Sequence, residues 1–333
     1  MHSDTPDLVL GLDIGGTSSR ALVAEVTGQV LGTGRAGGGN PNSHPPEHAV
    51  TQVSTAVRQA LGAVPDARVR HGVLGMAGIS KMTDPAVASL FEQAWAELGL
   101  NVPMRVVSDS EVAFAAGTAC PTGSVLIAGT GAIAARIDQH RLVSTFGGHG
   151  WLLGDEGSAF WLGREAVREA LRVLDHGGRH EDLVRSVLAE LVPDAREDDQ
   201  LRDELITTVN AEPPIRLAEL APLVTTAAGA GDKTAIDIVR RGAALLAETA
   251  RSTRTPGDTT PIVLAGGLVG AGNPLGEALR AELTTHFPAE LRTAGPGAGG
   301  AAWLAATELR GTADHELHAR YLANAQSITP PGE

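Results

Sequence analysis

A short apolar segment that ends in an aspartate and two glycines constrains the fold of this chain more than any other feature. Leu8 to Leu12 has the pattern of a buried strand, and Asp13-Ile14-Gly15-Gly16-Thr17 follows it directly. Two further strand-like runs, at 20–26 and 30–31, continue a meander. The backbone N–H groups of such a glycine turn can bind phosphate oxygens, and Thr17 adds a hydroxyl donor. A plain β-turn is the alternative for this segment taken alone.

The same arrangement returns after Cys120-Pro121. A second apolar run ends in Gly129-Thr130-Gly131, and strand-like segments at 132–137 and 142–143 follow it. Between the two copies, helical and strand-like patterns alternate at 48–61, 70–76, 85–98 and 104–107, which predicts an α/β fold. We interpret the repetition as a structural duplication that yields two related domains facing each other. Two opposed turns of this type can hold one triphosphate between them.

Two aspartates stand where predicted strands end. Asp13 would face bound phosphates and hold a hydrated Mg²⁺, because Mg²⁺ prefers oxygen ligands. Asp109 follows Ser108 at the start of a predicted helix, and carboxylates at strand ends lie where α/β sheets bind ligands. Asp109 can therefore act as a general base toward a substrate hydroxyl. The alternative is an N-cap, a position that aspartate favours.

Two more glycine-rich segments carry candidate residues. Residues 147–158, Gly-Gly-His-Gly-Trp-Leu-Leu-Gly-Asp-Glu-Gly-Ser, precede a predicted helix over 159–171. The helix dipole is an ordinary explanation for Asp155 and Glu156, but it explains neither His149 nor the glycines. Gly266-Gly267 follows a predicted strand at 261–265, where the backbone can pass under a nucleotide base. A helical region over 164–250 is interrupted near Pro213-Pro214.

Composition excludes several classes of function. The formal net charge of −13 argues against nucleic-acid and membrane partners, because phosphates would be repelled. The single cysteine, Cys120, cannot form an internal disulfide, an iron–sulfur cluster or a cysteine-rich zinc site. The first seven residues are polar and lack an apolar signal core, and no long uncharged apolar stretch occurs. We therefore expect a cytoplasmic protein.

These segments together resemble the N-acetylglucosamine kinase family, of the BadF/BcrA type, within the actin-like ATPase, sugar kinase and Hsp70 superfamily. The stretch 149–161, His-Gly-Trp-Leu-Leu-Gly-Asp-Glu-Gly-Ser-Ala-Phe-Trp, is similar to the glucosamine kinases of actinobacteria. The resemblance covers nearly the whole chain, and residues 154–158 are its most specific part. It implies the two-domain actin-like ATPase fold, which is ribonuclease H-like, with a nucleotide cleft between the domains.

The resemblance also implies individual roles. It assigns binding of the phosphates and the adenosine of ATP to these residues: Gly15, Gly16, Thr17, Thr130, Gly131, Ala228, Gly266 and Gly267. It assigns Mg²⁺ to Asp13 through water. It assigns sugar binding to Asn40, Asp109, His149, Asp155 and Glu156, with Asp109 as the catalytic base. We expect residues 1–117 to form one domain and residues 118–313 to form the other. A helix at about 314–326 is expected to pack back on the first domain. We also expect the protein to be a homodimer.

The implied reaction is the transfer of phosphate from ATP to the 6-hydroxyl of glucosamine. Animal kinases for the acetylated sugar carry tryptophan where this chain has His149, which predicts a more polar sugar pocket. N-acetylglucosamine is the alternative substrate. A non-catalytic relative and an ATPase that activates a radical dehydratase or reductase are the alternatives from other classes, and the activators need cysteines that this chain lacks.

Three motifs are expected to mislead. His44-Pro-Pro-Glu47-His48 has the spacing of a zinc protease, but its ligands need a helix and the two prolines argue against one there. Two glycine runs, at 32–37 and 295–300, match a dinucleotide pattern without its βαβ context, so we interpret them as close-packing glycines or loops. Bacterial glucokinases that share the superfamily usually carry a cysteine-rich zinc motif, which is absent from this sequence.

Overall fold

The computed structural model describes residues 7–64, 68–177, 181–194 and 200–328. The expectation about an N-terminal signal concerns mainly residues 1–6, which lie outside those ranges. Among the described residues, no helix combines the length and the apolar character that a membrane crossing requires.

Five strands form the first sheet: β1 (Leu8–Ile14), β2 (Ser18–Glu25), β3 (Val30–Gly37), β4 (Val69–Met76) and β5 (Met104–Ser108). Their order across the sheet is β3-β2-β1-β4-β5. The first three form an antiparallel meander, whereas β4 runs parallel to β1 and β5 runs parallel to β4. The carboxyl ends of β1, β4 and β5 therefore meet at one edge of the sheet.

The second sheet repeats the first. Its strands are β6 (Gly123–Ala128), β7 (Ala132–Asp138), β8 (Arg141–Gly147), β9 (Ile262–Ala265) and β10 (Leu291–Thr293), and their order is β10-β9-β6-β7-β8. When the second order is reversed, it becomes β8-β7-β6-β9-β10, and each strand then has a counterpart at the same place in the first sheet. This match confirms the predicted duplication. Strand β10 was not predicted, because its three residues are too few to show an alternating pattern.

The helices follow the predicted α/β alternation. In chain order they are α1 (Pro46–Gly62), α2 (Pro85–Glu97), α3 (Asp109–Ala115), α4 (Ala159–His176), α5 (Asp182–Leu191), α6 (Leu201–Ala211), α7 (Ala221–Gly229), α8 (Lys233–Arg251), α9 (Pro274–His286), α10 (Gly297–Arg310) and α11 (His315–Ile328). The predicted interruption near Pro213-Pro214 is confirmed, since α6 ends before it and a 3₁₀ helix spans Pro214–Leu220.

One expectation about α1 is wrong. The two prolines at 45 and 46 do not prevent a helix, because Pro46 occupies the first helical position, where its missing N–H is not needed. Glu47 and His48 therefore lie in the first turn, and His44 lies before the helix. The zinc-protease arrangement, in which both histidines share a helix face, does not form.

The chain divides into two compact units, which we describe separately. The first unit comprises residues 1–123, 137–143 and 292–333, and the second comprises 124–136 and 144–291. Helices α10 and α11 thus belong to the first unit, where the Tyr321 hydroxyl donates to the Glu25 carbonyl at 2.6 Å. The domain boundaries at 117/118 and 313/314 stay a prediction.

The first unit buries its sheet on both faces. On β1, the side chains of Leu8, Leu10, Leu12 and Ile14 join one apolar cluster with α1 and α2. Val9, on the opposite face, joins a second cluster with α10 and α11. Helix α10 approaches β1 closely, because a Cβ on Gly11 would overlap the backbone of Ala298 and Ala302. The second unit has one apolar cluster, built by its sheet and helices α4 to α9.

Candidate functional site

The first unit brings two of the predicted acidic residues to one sheet edge. The parallel register aligns Ile14 with Met76, and Met76 with Ser108. Asp13 immediately precedes the first of these aligned residues and Asp109 immediately follows the last. Both aspartates therefore lie where the carboxyl ends of parallel strands meet, which is where α/β sheets bind their ligands.

The predicted phosphate-binding turn follows β1 in the same unit. The Gly15 N–H donates to the Ser18 carbonyl at 2.8 Å, which closes the turn. The Gly15 carbonyl accepts from the Gly39 N–H at 3.2 Å. Thr17 is exposed to solvent. The turn thus offers a hydroxyl and backbone N–H groups at the surface, as binding of a phosphate group requires.

Asp13 is a half-buried carboxylate beside the N-terminus of α10. A Cβ on Gly297 would come within 2.5 Å of its Oδ2 atom, so only glycine fits there. Burial raises the pKa of Asp13, and the Arg20 guanidinium at 3.9 Å opposes that effect. Mg²⁺ keeps most of its waters and takes one or two carboxylates in nucleotide sites. Asp13, with Asp109 at the same edge, fits such a hydrated ion.

The start of α3 frees the Asp109 side chain. Ser108 is the N-cap, because its hydroxyl accepts from the Glu111 N–H at 3.2 Å and the Glu111 carboxylate accepts from the Ser108 N–H at 2.9 Å. Arg105 donates to the other oxygen of Glu111 at 2.9 Å. Asp109 is the first helical residue, so the N-cap alternative for Asp109 is wrong. Its carboxylate remains available to a ligand.

The environment of Asp109 disfavours its ionised form. Burial is the main cause that raises its pKa to about 6, and the Asp13 carboxylate adds to the effect. Hydrogen bonds from Ser110 act in the opposite direction. A carboxylate whose pKa approaches neutrality is suited to accept a proton from a hydroxyl group.

We expect Asp109→Asn to stabilise the ligand-free protein at pH 7. The folded-state pKa of Asp109, about 6, lies above the ordinary aspartate value of 3.8, so ionisation costs the folded state free energy once the pH exceeds both values. Asparagine is neutral at every pH and removes that cost, which is on the order of 1–3 kcal/mol. Chemical denaturation in EDTA should show the largest gain above pH 6 and none near pH 3. A gain that does not change with pH would contradict the assignment.

Asn40 joins two loops of the first unit. Its side chain is buried, its Nδ2 donates to the Ala77 carbonyl at 2.8 Å, and its Oδ1 accepts from the Asn42 N–H at 2.8 Å. The bond to Ala77 ties the segment after β3 to the end of β4, and the bond from Asn42 closes a turn within that segment. Among the described residues, the second amide hydrogen of Asn40 has no protein acceptor and is available to a ligand. The sugar-binding role assigned to Asn40 stays a prediction.

The second unit builds the second glycine turn from the same parts. The turn joins β6 to β7, and the N-terminus of α4 holds its backbone. The Ala159 N–H donates to the Gly129 carbonyl at 2.9 Å, and the Phe160 N–H donates to the Thr130 carbonyl at 3.2 Å. Because the peptide C=O and N–H point in opposite directions, the N–H groups of Thr130 and Gly131 face away from α4.

Asp155 supports this second turn. It is buried, and its Oδ1 accepts from the Ala132 N–H at 3.1 Å. A Cβ on Gly131 would lie 2.8 Å from its Oδ2, so the turn needs glycine at that position. Asp155 also has a φ of +57°, a strained conformation for a residue with a side chain. Asp155 therefore has a structural role in supporting the second glycine turn, which sequence reasoning missed. Its predicted role in sugar binding stays a prediction.

The other predicted sugar residues of the second unit lie at its surface. His149 and Glu156 are both exposed, and Arg164 lies 3.7 Å from the Glu156 carboxylate. The loop between them also exposes apolar groups, since Leu152 is 74% exposed and Leu153 is 78% exposed. The structure thus offers both charged and apolar groups in one loop.

Gly266 and Gly267 follow β9, the parallel neighbour of β6. A Cβ on Gly266 would overlap the Ala128 carbonyl at the end of β6, and its φ of +99° also requires glycine. The segment therefore leaves the sheet next to the second glycine turn. Ala228 lies on a separate element, near the end of α7, and is half-buried. Binding of adenosine by these three residues stays a prediction.

Comparisons with known proteins agree with this architecture. The model of the BadF/BadG/BcrA/BcrD ATPase family matches residues 10–305. An N-acetylmuramic acid/N-acetylglucosamine kinase of Clostridium acetobutylicum is 28% identical over 192 residues, which are 57% of this chain and 62% of that relative. The match thus covers less than two thirds of the relative's length.

Solved structures of sugar kinases share the fold. A candidate N-acetylglucosamine kinase from Chromobacterium violaceum superposes with a TM-score of 0.71 at 23% identity, over 90% of this chain and 99% of that one. A ROK family glucokinase from Streptomyces griseus, in complex with glucose and AMPPNP, superposes with a TM-score of 0.55 at 22% identity, over 90% and 99%. At these identities the likeness establishes the two-domain actin-like fold.

Proposed function

The chain belongs to the BadF/BadG/BcrA/BcrD ATPase family, and on that premise we propose that it transfers phosphate from ATP to an amino sugar. One observation carries the proposal: Asp109 lies at the same sheet edge as the glycine turn and Asp13, with its pKa raised to about 6. That combination supports a kinase, which needs a proton acceptor near a group that binds phosphate.

In the proposed reaction the 6-hydroxyl oxygen of the sugar attacks the γ-phosphorus of ATP. The bond between that phosphorus and the bridging oxygen of ADP breaks, and Asp109 takes the hydroxyl proton. Each glycine turn has N–H groups that can bind phosphate oxygens. Mg²⁺, when held by Asp13 through water, supplies positive charge that offsets the charge of the phosphates. A cytoplasmic location and a homodimer stay predictions from the sequence.

We propose glucosamine as the preferred sugar. Three of the predicted sugar residues, Asp109, Asp155 and Glu156, are acidic, and a protonated amine forms charge-assisted hydrogen bonds with carboxylates. His149 stands where the acetylated-sugar kinases of the resemblance carry tryptophan. Arg164 beside Glu156 offsets part of that charge, so the proposal rests mainly on His149.

N-acetylglucosamine is the second candidate, and two observations favour it. The Clostridium acetobutylicum relative is named for acetylated sugars. In addition, Trp151, Leu152 and Leu153 expose apolar surface in the loop that carries His149. An acetamide methyl group can pack on the exposed leucine side chains, whereas an ammonium group would lose hydration there.

We expect kcat/KM for glucosamine to exceed that for N-acetylglucosamine by about tenfold or more, because that ratio measures substrate preference. A coupled ADP-release assay with glucosamine, N-acetylglucosamine, glucose and mannosamine measures it. His149→Trp should shift the preference toward the acetylated sugar. His176→Trp, at an exposed histidine that ends α4 in the same unit, is the matched control and should leave the preference unchanged. Equal or higher efficiency of the wild type with N-acetylglucosamine would overturn the glucosamine assignment and leave the kinase intact. Release of ADP with none of the four sugars would overturn the kinase proposal itself.

A further inference from the structure

His44 belongs to the motif that sequence analysis set aside, and the structure gives its ring a contact. The Nε2 atom lies 2.6 Å from the carbonyl oxygen of Gly16, in the predicted phosphate-binding turn. A carbonyl oxygen only accepts hydrogen bonds, so Nε2 must carry the proton and donate. His44 is half-buried, and its ring stands 5.3 Å from that of the exposed His48.

The contact sets the direction of the neighbouring N–H group. In a planar trans peptide the C=O and N–H bonds point in opposite directions. Because His44 holds the Gly16 carbonyl, the Thr17 N–H points away from the segment that contains His44. Gly39 in the same segment holds the Gly15 carbonyl, which turns the Gly16 N–H the same way. Within the described residues, neither N–H donates to a protein acceptor.

The segment around His44 is itself held in place. The N–H groups of Ser43 and His44 both donate to the Asn40 carbonyl, at 3.0 Å and 3.1 Å. A Cβ on the buried Gly38 would overlap both the Gly16 carbonyl and the His44 Nε2 atom. The ring therefore reaches the turn because position 38 carries no side chain. These contacts give the ring a defined position before any ligand binds.

In the second glycine turn, backbone N–H groups hold the corresponding carbonyls. There the carbonyls of Gly129 and Thr130 accept from Ala159 and Phe160 at the N-terminus of α4. In the first turn no helix N-terminus makes those bonds among the described residues, and the Gly39 N–H and His44 ring make them instead. The histidine ring thus has the role that a backbone N–H has in the other turn.

We propose that His44 is a positioning residue for nucleotide binding: its Nε2–H holds the Gly16 carbonyl so that the Thr17 N–H faces a phosphate oxygen. The inference rests on the proposed use of ATP. His44 does not touch the reacting atoms, and it acts through the peptide between Gly16 and Thr17. Loss of the bond lets that peptide rotate, so the phosphate loses an oriented donor.

The test compares two replacements of similar length. The variant His44→Gln keeps an N–H donor in the side chain, whereas His44→Met fills the same space without a donor. His48→Met is the control, since His48 is exposed and lies on the same segment. Calorimetry measures the Kd of each protein for MgADP and, separately, for the sugar that the wild type phosphorylates best. We expect His44→Met to weaken MgADP binding by about tenfold, the typical effect of one lost hydrogen bond.

His44→Gln should recover most of the affinity for MgADP, and the Kd for the sugar should stay within about twofold in all variants. MgADP binding by His44→Met within twofold of wild type would overturn the inference. Equal losses for MgADP and sugar, accompanied by a lower melting temperature, would also overturn it, because they indicate general damage. Wild-type protein that binds MgADP but phosphorylates no sugar would sink the kinase proposal and leave the role of His44 standing.

Discussion

Replacing Asp109 by asparagine is expected to lower turnover by about 10²–10⁴-fold, the range for loss of a general base. Asparagine has nearly the same shape, but it cannot take the proton of the sugar hydroxyl. The helix start is not at risk, because Ser108 and not Asp109 caps α3. Steady-state kinetics at pH 7.5 with saturating MgATP measure the loss, and calorimetry measures sugar binding. We expect the Kd for the sugar to change by less than about tenfold, since a neutral amide still forms a hydrogen bond.

The matched control is Asp84→Asn. Asp84 also stands at a helix start in the first unit, where its side chain accepts from the Ala86 N–H at 2.9 Å and caps α2. Its replacement should leave turnover unchanged. A turnover of Asp109→Asn within tenfold of wild type would remove Asp109 from the base role. A similar loss in both variants would point to damage of the fold instead.

Asp109 also links function to stability. The same burial that raises its pKa makes the ionised carboxylate costly in the folded state. The substitution Asp109→Asn should therefore lower turnover and raise the stability of the protein at pH 7. Active sites commonly show this relation, because a group tuned for chemistry is not tuned for stability. If Asp109 had only a structural role, its replacement would lower the stability of the protein.

Replacing Gly11 by alanine is expected to cost the first unit about 3 kcal/mol or more of unfolding free energy. A Cβ there would overlap the Ala298 carbonyl and the Ala302 N–H on α10. Backbone cannot move aside as a flexible side chain does, so the helix must shift away from β1 and lose close packing. Denaturation followed by circular dichroism measures the change. We expect a lower midpoint, or a protein that does not fold.

Gly62→Ala is the control with the opposite expected sign. Gly62 is exposed at the end of α1, and a Cβ there meets no atom within 4 Å. Alanine loses less conformational entropy than glycine on forming a helix, so this variant should gain about 0.5–1 kcal/mol. If Gly11→Ala is as stable as the wild type, α10 does not pack on β1 as closely as described.

Local sequence determined the elements and their repetition. The apolar runs ending at Asp13 and near Gly129 each predicted a strand, a glycine turn and two following strands, and both sheets contain them. Strand β10 was not predicted, because Leu291–Thr293 is too short to show an alternating pattern. Helix α10 begins at Gly297, inside the glycine run at 295–300 that sequence analysis interpreted as close-packing glycines or loops, because glycines have low helix propensity and give no local signal for a helix start.

Sequence also predicted that two aspartates stand at strand ends, but not what holds their side chains. Asp13 and Asp109 stand at strand ends, and parallel pairing through β4 brings those ends to one edge. The local pattern left open whether Asp109 caps α3. Two residue types that favour the cap stood side by side, and only the path of the backbone assigned it to Ser108.

Tertiary structure alone decided the supports of the two turns. Nothing near Asp155 in the chain indicates that its carboxylate accepts from Ala132, 23 residues earlier. Nothing near His44 indicates that its ring reaches the Gly16 carbonyl, 28 residues away, across a position where only glycine fits. Local propensities depend on neighbours in sequence, which is why the turns were predictable. The groups that orient them come from distant segments, and only packing of those segments brings the atoms within hydrogen-bonding distance.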